Sequence, residues 1–245
     1  MTALLLLLLA QAAPAPASDN GARCLDLVRT DPAAALVQAA RAPLANTVEG
    51  GRCEGLANAA LSRWGAAAVA FETAARAAAA TKDDEAARLW AQAGNARLAG
   101  GDASGALAAL DSAVAAGTLA AEPLGQVRLD RARARVATGD NDGAREDINA
   151  ALPALDGDPV AWLLSATLAR RAGDVPRARH DIGEALRRSP DDAGVQLEAG
   201  NIAALARDEA AARAAWAEAA RLAPNGPEGR AALAALRQFD PASPQ

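Results

Sequence analysis

Small and apolar residues recur along this chain every three to four positions, the spacing that lays them on one face of an α-helix, and short polar breaks cut the pattern at regular distances. In WLLSATLARRAGDVPRARHDIGEALRRSP, residues 162–190, an apolar helical run ends at Gly173-Asp174, resumes through Ala178, Ile182 and Ala185, and stops at Pro190. Residues 90–113 repeat it landmark for landmark, with Trp90 for Trp162, Gly101-Asp102 for Gly173-Asp174, then Ala106, Leu110 and Ala113. Residues 128–151 fit through Gly139-Asp140, Ala144, Ile148 and Ala151, and residues 196–224 through Gly200, Ala212, Trp216, Ala219 and Pro224. Residues 55–74 fit through Gly55, Trp64, Ala67, Phe71 and Ala74. The matching alanines Ala67, Ala106, Ala144, Ala178 and Ala212 lie 39, 38, 34 and 34 residues apart, so the bare unit has 34 residues and the first two intervals carry insertions.

Each unit predicts two antiparallel helices joined by a tight turn. Gly101, Gly139 and Gly173 supply the left-handed residue that ends the first helix, and Asp102, Asp140 and Asp174 accept from the free N–H groups that open the second. Pro190 and Pro224 fall where the second helix must stop. Small residues at Gly94, Ala132, Ala166 and Gly200, opposite Ala106, Ala144, Ala178 and Ala212, let the two helices approach closely. A pair of this size cannot bury its apolar face alone, so neighbouring pairs must stack.

The unit from Val160 to Pro190 resembles the tetratricopeptide repeat (TPR): Trp, Gly, Ala, a hydrophobe, Ala and Pro stand at the fourth, fifteenth, twentieth, twenty-fourth, twenty-seventh and thirty-second positions. The eleventh position, aromatic in that family, holds Arg97, Arg135, Ala169 and Ala203, which predicts leaner packing between the helices. The resemblance implies an all-α fold, a right-handed superhelical solenoid of stacked antiparallel helix pairs. Five repeats are expected, at about 48–81, 87–120, 125–158, 159–192 and 193–226. An N-terminal helical cap over 18–47, a capping helix over 227–239 and a disordered tail over 240–245 flank them.

Composition agrees and removes some functions. The chain is 51% hydrophobic yet only 2% aromatic, and rich in alanine, the best helix former. A net charge of -5, with few aromatic stacking platforms, leaves no basic stripe for phosphates and excludes nucleic acid as a partner. The opening MTALLLLLLAQAAPAPAS has an apolar run too short for a bilayer, followed by small residues up to Ala17; it reads as a signal peptide over 1–17, with an uncleaved membrane anchor as the other reading. The expected location is the bacterial periplasm, with membrane contact only through an uncleaved leader or a partner. In an oxidising compartment Cys24 and Cys53, the only cysteines, are expected to form a disulfide, buried thiols being the alternative.

The resemblance implies a protein or peptide partner held on the concave wall lined by the first helices, and no catalysis. With the core face of each first helix fixed, the opposite face presents Arg88, Gln92 and Asn95, then Gln126, Asp130 and Arg133, then Thr167 and Arg171, then Glu198 and Asn201. Amides and guanidinium groups so arranged hydrogen-bond a peptide backbone and grip carboxylates; an ordinary solvated face is the competing reading. Asn95 and Asn201 each follow a glycine, similar to the asparagine with which chaperone-tail-binding TPR domains clamp a terminal carboxylate, but the lysine expected four residues earlier is Ala91 and Leu197. No metal-ligand spacing, phosphate loop or nucleophile accompanies the single histidine, His180, so neither an enzyme nor a cofactor or metal is expected. The leading expectation is an exported, non-enzymatic scaffold or adaptor. A membrane-associated envelope-assembly component comes second and a small-ligand carrier a distant third.

Overall fold

The computed structural model describes residues 19–239; the leader and the tail expected to be disordered lie outside the described residues. Among the described residues there are thirteen α-helices and no strand, as the periodicity requires. They are α1 (Asp19–Thr30), α2 (Pro32–Ala39), α3 (Val48–Ala60), α4 (Trp64–Ala80), α5 (Glu85–Ala99), α6 (Ala103–Ala115) and α7 (Ala121–Thr138). Then follow α8 (Asn141–Ala151), α9 (Pro159–Arg171), α10 (Val175–Arg188), α11 (Ala193–Leu205), α12 (Glu209–Leu222) and α13 (Pro227–Gln238). The chain forms two compact units, the first ending at Ala96 and the second beginning at Arg97.

In the first unit α1, α2 and α3 pack together around Cys24, Ala35, Ala39, Leu44, Cys53 and Ala57. Cys24 and Cys53 are joined by a disulfide that ties α1 to α3, their Cα atoms 6.1 Å apart. Helix α3 pairs with α4 by close approach: a Cβ on Gly55 would lie 2.4 Å from the Phe71 ring. The bulk of the aromatic is accommodated by the missing side chain opposite.

In the second unit α7 pairs with α8, α9 with α10 and α11 with α12, and α13 covers α11 and α12. The turns follow the predicted chemistry. Gly101, Gly139 and Gly173 have φ of 79°, 89° and 75°. Asp102, Asp140 and Asp174 accept from the backbone N–H of Gly105, Gly143 and Arg177 at 2.8, 2.9 and 3.2 Å. Arg207 takes the same left-handed place before α12 at φ 61°, and Asp208 caps that helix through Ala211 at 3.1 Å. Both arginines that replace the family's aromatic residue have turned to these caps: Arg97 Nη1 lies 2.9 Å from Asp102 Oδ2, and Arg135 Nε lies 3.6 Å from Asp140 Oδ2. The backbone N–H of Gly105 and then Arg97 hold the Asp102 carboxyl below its ordinary value.

Polar links run between the pairs. Buried Asp147 and Asp181 lie 34 residues apart in the same place of successive pairs, and each meets a residue of the first helix, Arg131 and Ser165. Arg145 of α8 donates to the hydroxyl and carbonyl of Ser165 on α9, Arg177 of α10 donates to Asn149 of α8, and Gln126 of α7 donates to Asp158 at the start of α9. The hydrogen bond to Asp147 raises the Arg131 guanidinium above its usual value. Burial, then the nearby Arg177, lowers that of Arg145.

Candidate partner-binding groove

The residues expected on the exposed face of the first helices divide into two sets. On α5, in the first unit, Arg88 and Asn95 are exposed and Gln92 is half-buried. In the second unit Gln126 is exposed but bound to Asp158 at 3.1 Å, and Asp130 and Arg133 form an ion pair one turn apart. Thr167 is half-buried, and Arg171, in the last turn of α9, is exposed with no ion pair among the described residues. These side chains lie at or near the surface, where a partner can reach them.

Glu198 is a correction. Its exposure is 7%, because Val195, Glu198 and Ile202 share the buried face of α11. The packing of α9 against α11 draws that position inward. The carboxylate is accommodated by Arg170 Nε at 2.7 Å and Asn201 Nδ2 at 3.1 Å. Asn201 in turn accepts from Trp216 Nε1 at 3.1 Å, so it joins α11 to α12 as much as it faces outward. Of the expected site residues, the structure brings Arg171 and Asn201 to one place.

That place is an open groove of about 610 Å³ formed by α9, α11, α12 and α13. Arg170, Arg171 and Asn201 border one side. Ala204, Leu205, Trp216, Ala235 and Phe239 make the other side apolar, with Gln238 at the end. The Trp216 and Phe239 rings meet edge to face with centroids 5.0 Å apart, and Arg213 donates to the Phe239 carbonyl, which fixes the end of α13 over the tryptophan. Arg170, Trp216 and Phe239 were not expected here. The Arg170-Arg171 doublet was the available signal; Trp216 remains buried beneath the groove, and Phe239 lines it only because α13 packs on α11 and α12.

Chemistry of the reacting kind has no foothold around His180. Its Nδ1 lies 2.9 Å from Asp181 Oδ1, while Ser165, fully buried, donates to Asp181 Oδ2 at 2.6 Å. The carboxylate stands between the two, so the imidazole is not positioned to take the serine proton. Among the described residues no three metal-ligating side chains of the His, Cys, Asp or Glu type come together.

Comparison with solved structures places this arrangement of helices. PilF from Pseudomonas aeruginosa matches with a TM-score of 0.71 at 16% identity, over 88% of this chain and 96% of that one. PilW, a type IV pilus biogenesis factor, matches with a TM-score of 0.69 at 17% identity, over 87% and 96%. YrrB, a TPR protein with an unusual peptide-binding site, matches with a TM-score of 0.59 at 16% identity, over 77% and 91%. The fold is that of the tetratricopeptide-repeat proteins. No protein-family model matches the sequence, and no curated protein matches it. Within the TPR frame, Gly55 and Gly200 share one position of the first helix and Phe71 and Trp216 share one position of the second. An aromatic residue is used where the residue facing it is glycine: a Cβ on Gly200 would lie 2.4 Å from the Trp216 ring.

Proposed function

We propose that this protein is an exported, non-enzymatic scaffold or adaptor of TPR fold that binds a protein or peptide partner along the exposed faces of its first helices. In this reading the array comprises five repeats, α3/α4 through α11/α12, with α1 and α2 as the N-terminal cap and α13 as the C-terminal cap. The observation that carries it is the groove at the end of the second unit, where Arg171 and Asn201 stand beside exposed Leu205 and half-buried Phe239. YrrB, of the same fold, has a peptide-binding site, which supports the partner class. The Cys24–Cys53 disulfide suits an oxidising compartment, and the leader over 1–17 supports export to the periplasm. No helix among the described residues is long and apolar enough to cross a membrane.

The test is crosslinking capture from the native envelope with wild type and with Gln126→Ala/Arg133→Glu/Arg171→Glu, after circular dichroism has shown equal folding. A specific protein taken by wild type and lost by the variant is the expected result. Partners that survive the substitutions would remove the first-helix faces from the binding site. A second reading, favoured by the likeness to the pilus biogenesis factor PilW, is an envelope-assembly component held at the membrane by its leader. Mass spectrometry of the mature N-terminus separates the two: the adaptor reading expects cleavage after Ala17, and an intact leader would favour the second.

A further inference from the structure

We infer that the groove walled by α13 is an anchor for an acidic peptide segment, in which a carboxylate within the partner chain meets the Arg170-Arg171 doublet and a neighbouring large apolar side chain rests against Leu205 and Phe239. The inference rests on the adaptor reading and names the chemistry of its ligand.

Charge complementarity is the first argument. Among the described residues the groove lining holds two guanidinium groups and no carboxylate, the nearest acid being buried Glu198, which pairs with Arg170 from behind. Many arginines of the second unit are neutralised nearby, as Arg131 is by Asp147, Arg133 by Asp130, Arg177 by Asp181, Arg188 by Glu184, Arg213 by Glu209 and Arg221 by Glu218. Arg171 has no such partner among the described residues. Arg170 commits its Nε to Glu198, which fixes the plane of the guanidinium and leaves its terminal NH₂ groups as the remaining donors. Two forks of donors, one of them held in place, suit a carboxylate better than any neutral acceptor.

The second argument is the apolar half. Leu205 is 46% exposed, a large hydrophobe left in water at the rim of the groove, and half-buried Phe239, held in place against the buried Trp216 ring, adds apolar surface beside it. A peptide residue covering Leu205 and the Phe239 ring removes that surface from water. Asn201 is already committed to Glu198 and Trp216, so it acts as a wall and not as the grip. The predicted ligand is therefore an internal acidic-apolar segment, with no need of a free chain end.

The experiment is panning of random twelve-residue peptides, displayed at the N-terminus of a phage coat protein so that none has a free C-terminal carboxylate, against the intact wild-type protein. Enriched sequences are then titrated as synthetic C-terminal amides against wild type, Arg171→Glu and Gln238→Glu. Both substitutions fall on exposed residues at helix ends, so folding is retained. The expected result is a consensus of Asp or Glu next to Leu, Phe or Trp, with binding weakened about 10- to 100-fold by each substitution, as the loss of a charge-assisted hydrogen bond requires. Peptides that lack acid, or that bind both variants as well as wild type but lose affinity on Gln126→Ala/Arg133→Glu, would overturn the anchor and leave the adaptor reading standing. Failure to enrich any peptide would overturn the anchor, while the adaptor reading stands or falls with the capture from the envelope.

Discussion

Replacing Gly200 by Ala tests how the last helix pair is packed. A Cβ there would sit 2.4 Å from Cδ1 and Nε1 of Trp216, about 1 Å inside ordinary contact. The indole has nowhere to go: it is buried, its Nε1 is bonded to Asn201 and its other side meets Phe239. Overpacking of this kind costs about 1–3 kcal/mol, and a displaced ring gives up a hydrogen bond of about 1 kcal/mol. The better helix propensity of Ala returns about 1 kcal/mol. The net expectation is a loss of about 2 kcal/mol, seen as a melting temperature about 5 °C lower. Trp216→Leu in the Gly200→Ala background should recover part of the loss, because a branched aliphatic residue then stands in the same cluster as Ala, as Ile182 does with Ala166. Circular dichroism melts of the two single variants and the double variant give the coupling energy, expected to exceed about 1 kcal/mol. Gly183→Ala is the control: a Cβ there meets nothing within 4 Å, so only the propensity gain of about 1 kcal/mol remains. Additive effects, or a Gly200→Ala variant as stable as wild type, would refute the reasoning.

Three further outcomes follow from the same geometry. Cys24→Ser/Cys53→Ser releases a closed loop with a sequence separation of 29 and should lose about 3–4 kcal/mol, with amide exchange rising first in α1 to α3. Arg207→Gly, at φ 61°, relieves a left-handed side chain and should gain about 0.5–1 kcal/mol, whereas Gly173→Ala at φ 75° should lose about as much; thermal melts distinguish the signs. The folded pKa of Asp102 is depressed, so its stabilisation is full above the ordinary value of 3.8 and disappears as pH falls through the lower folded value. Asp102→Asn keeps the cap but loses the charge, and should flatten the melting-temperature profile in that acid window; an unchanged profile would dismiss the Asp102 charge, held by the Gly105 N–H and then by Arg97, as a contributor.

The helix pairs were legible because their signals are local. Gly101, Gly139 and Gly173 and the aspartates after them need only their own turn to act, and the sequence placed them correctly. The Cys24–Cys53 bond was likewise expected from the number of cysteines. Positions that depend on a neighbouring helix were less legible. Glu198 occupies a nominally exposed position, and its burial depends on α9 lying against α11. Trp162 reads as core by its position, yet it is only partly buried, with Nε1 donating to the Asp156 carbonyl and Arg188 over its ring. Arg97 and Arg135 in an aromatic position predicted thinner packing; the structure shows guanidinium groups reaching forward to the caps of the next helix instead. The groove could not be read at all until α13 was set against Trp216.

The polar links between helix pairs have a mechanical consequence. Apolar faces slide over one another at small cost, but Arg145 on Ser165, Gln126 on Asp158 and Arg170 on Glu198 hold only at one offset and one rotation. Seams of this kind oppose sliding and rotation of one pair over the next within the second unit. On the proposed binding reading, the first helices are then already in place when a partner docks, and the loss of freedom falls mainly on the partner.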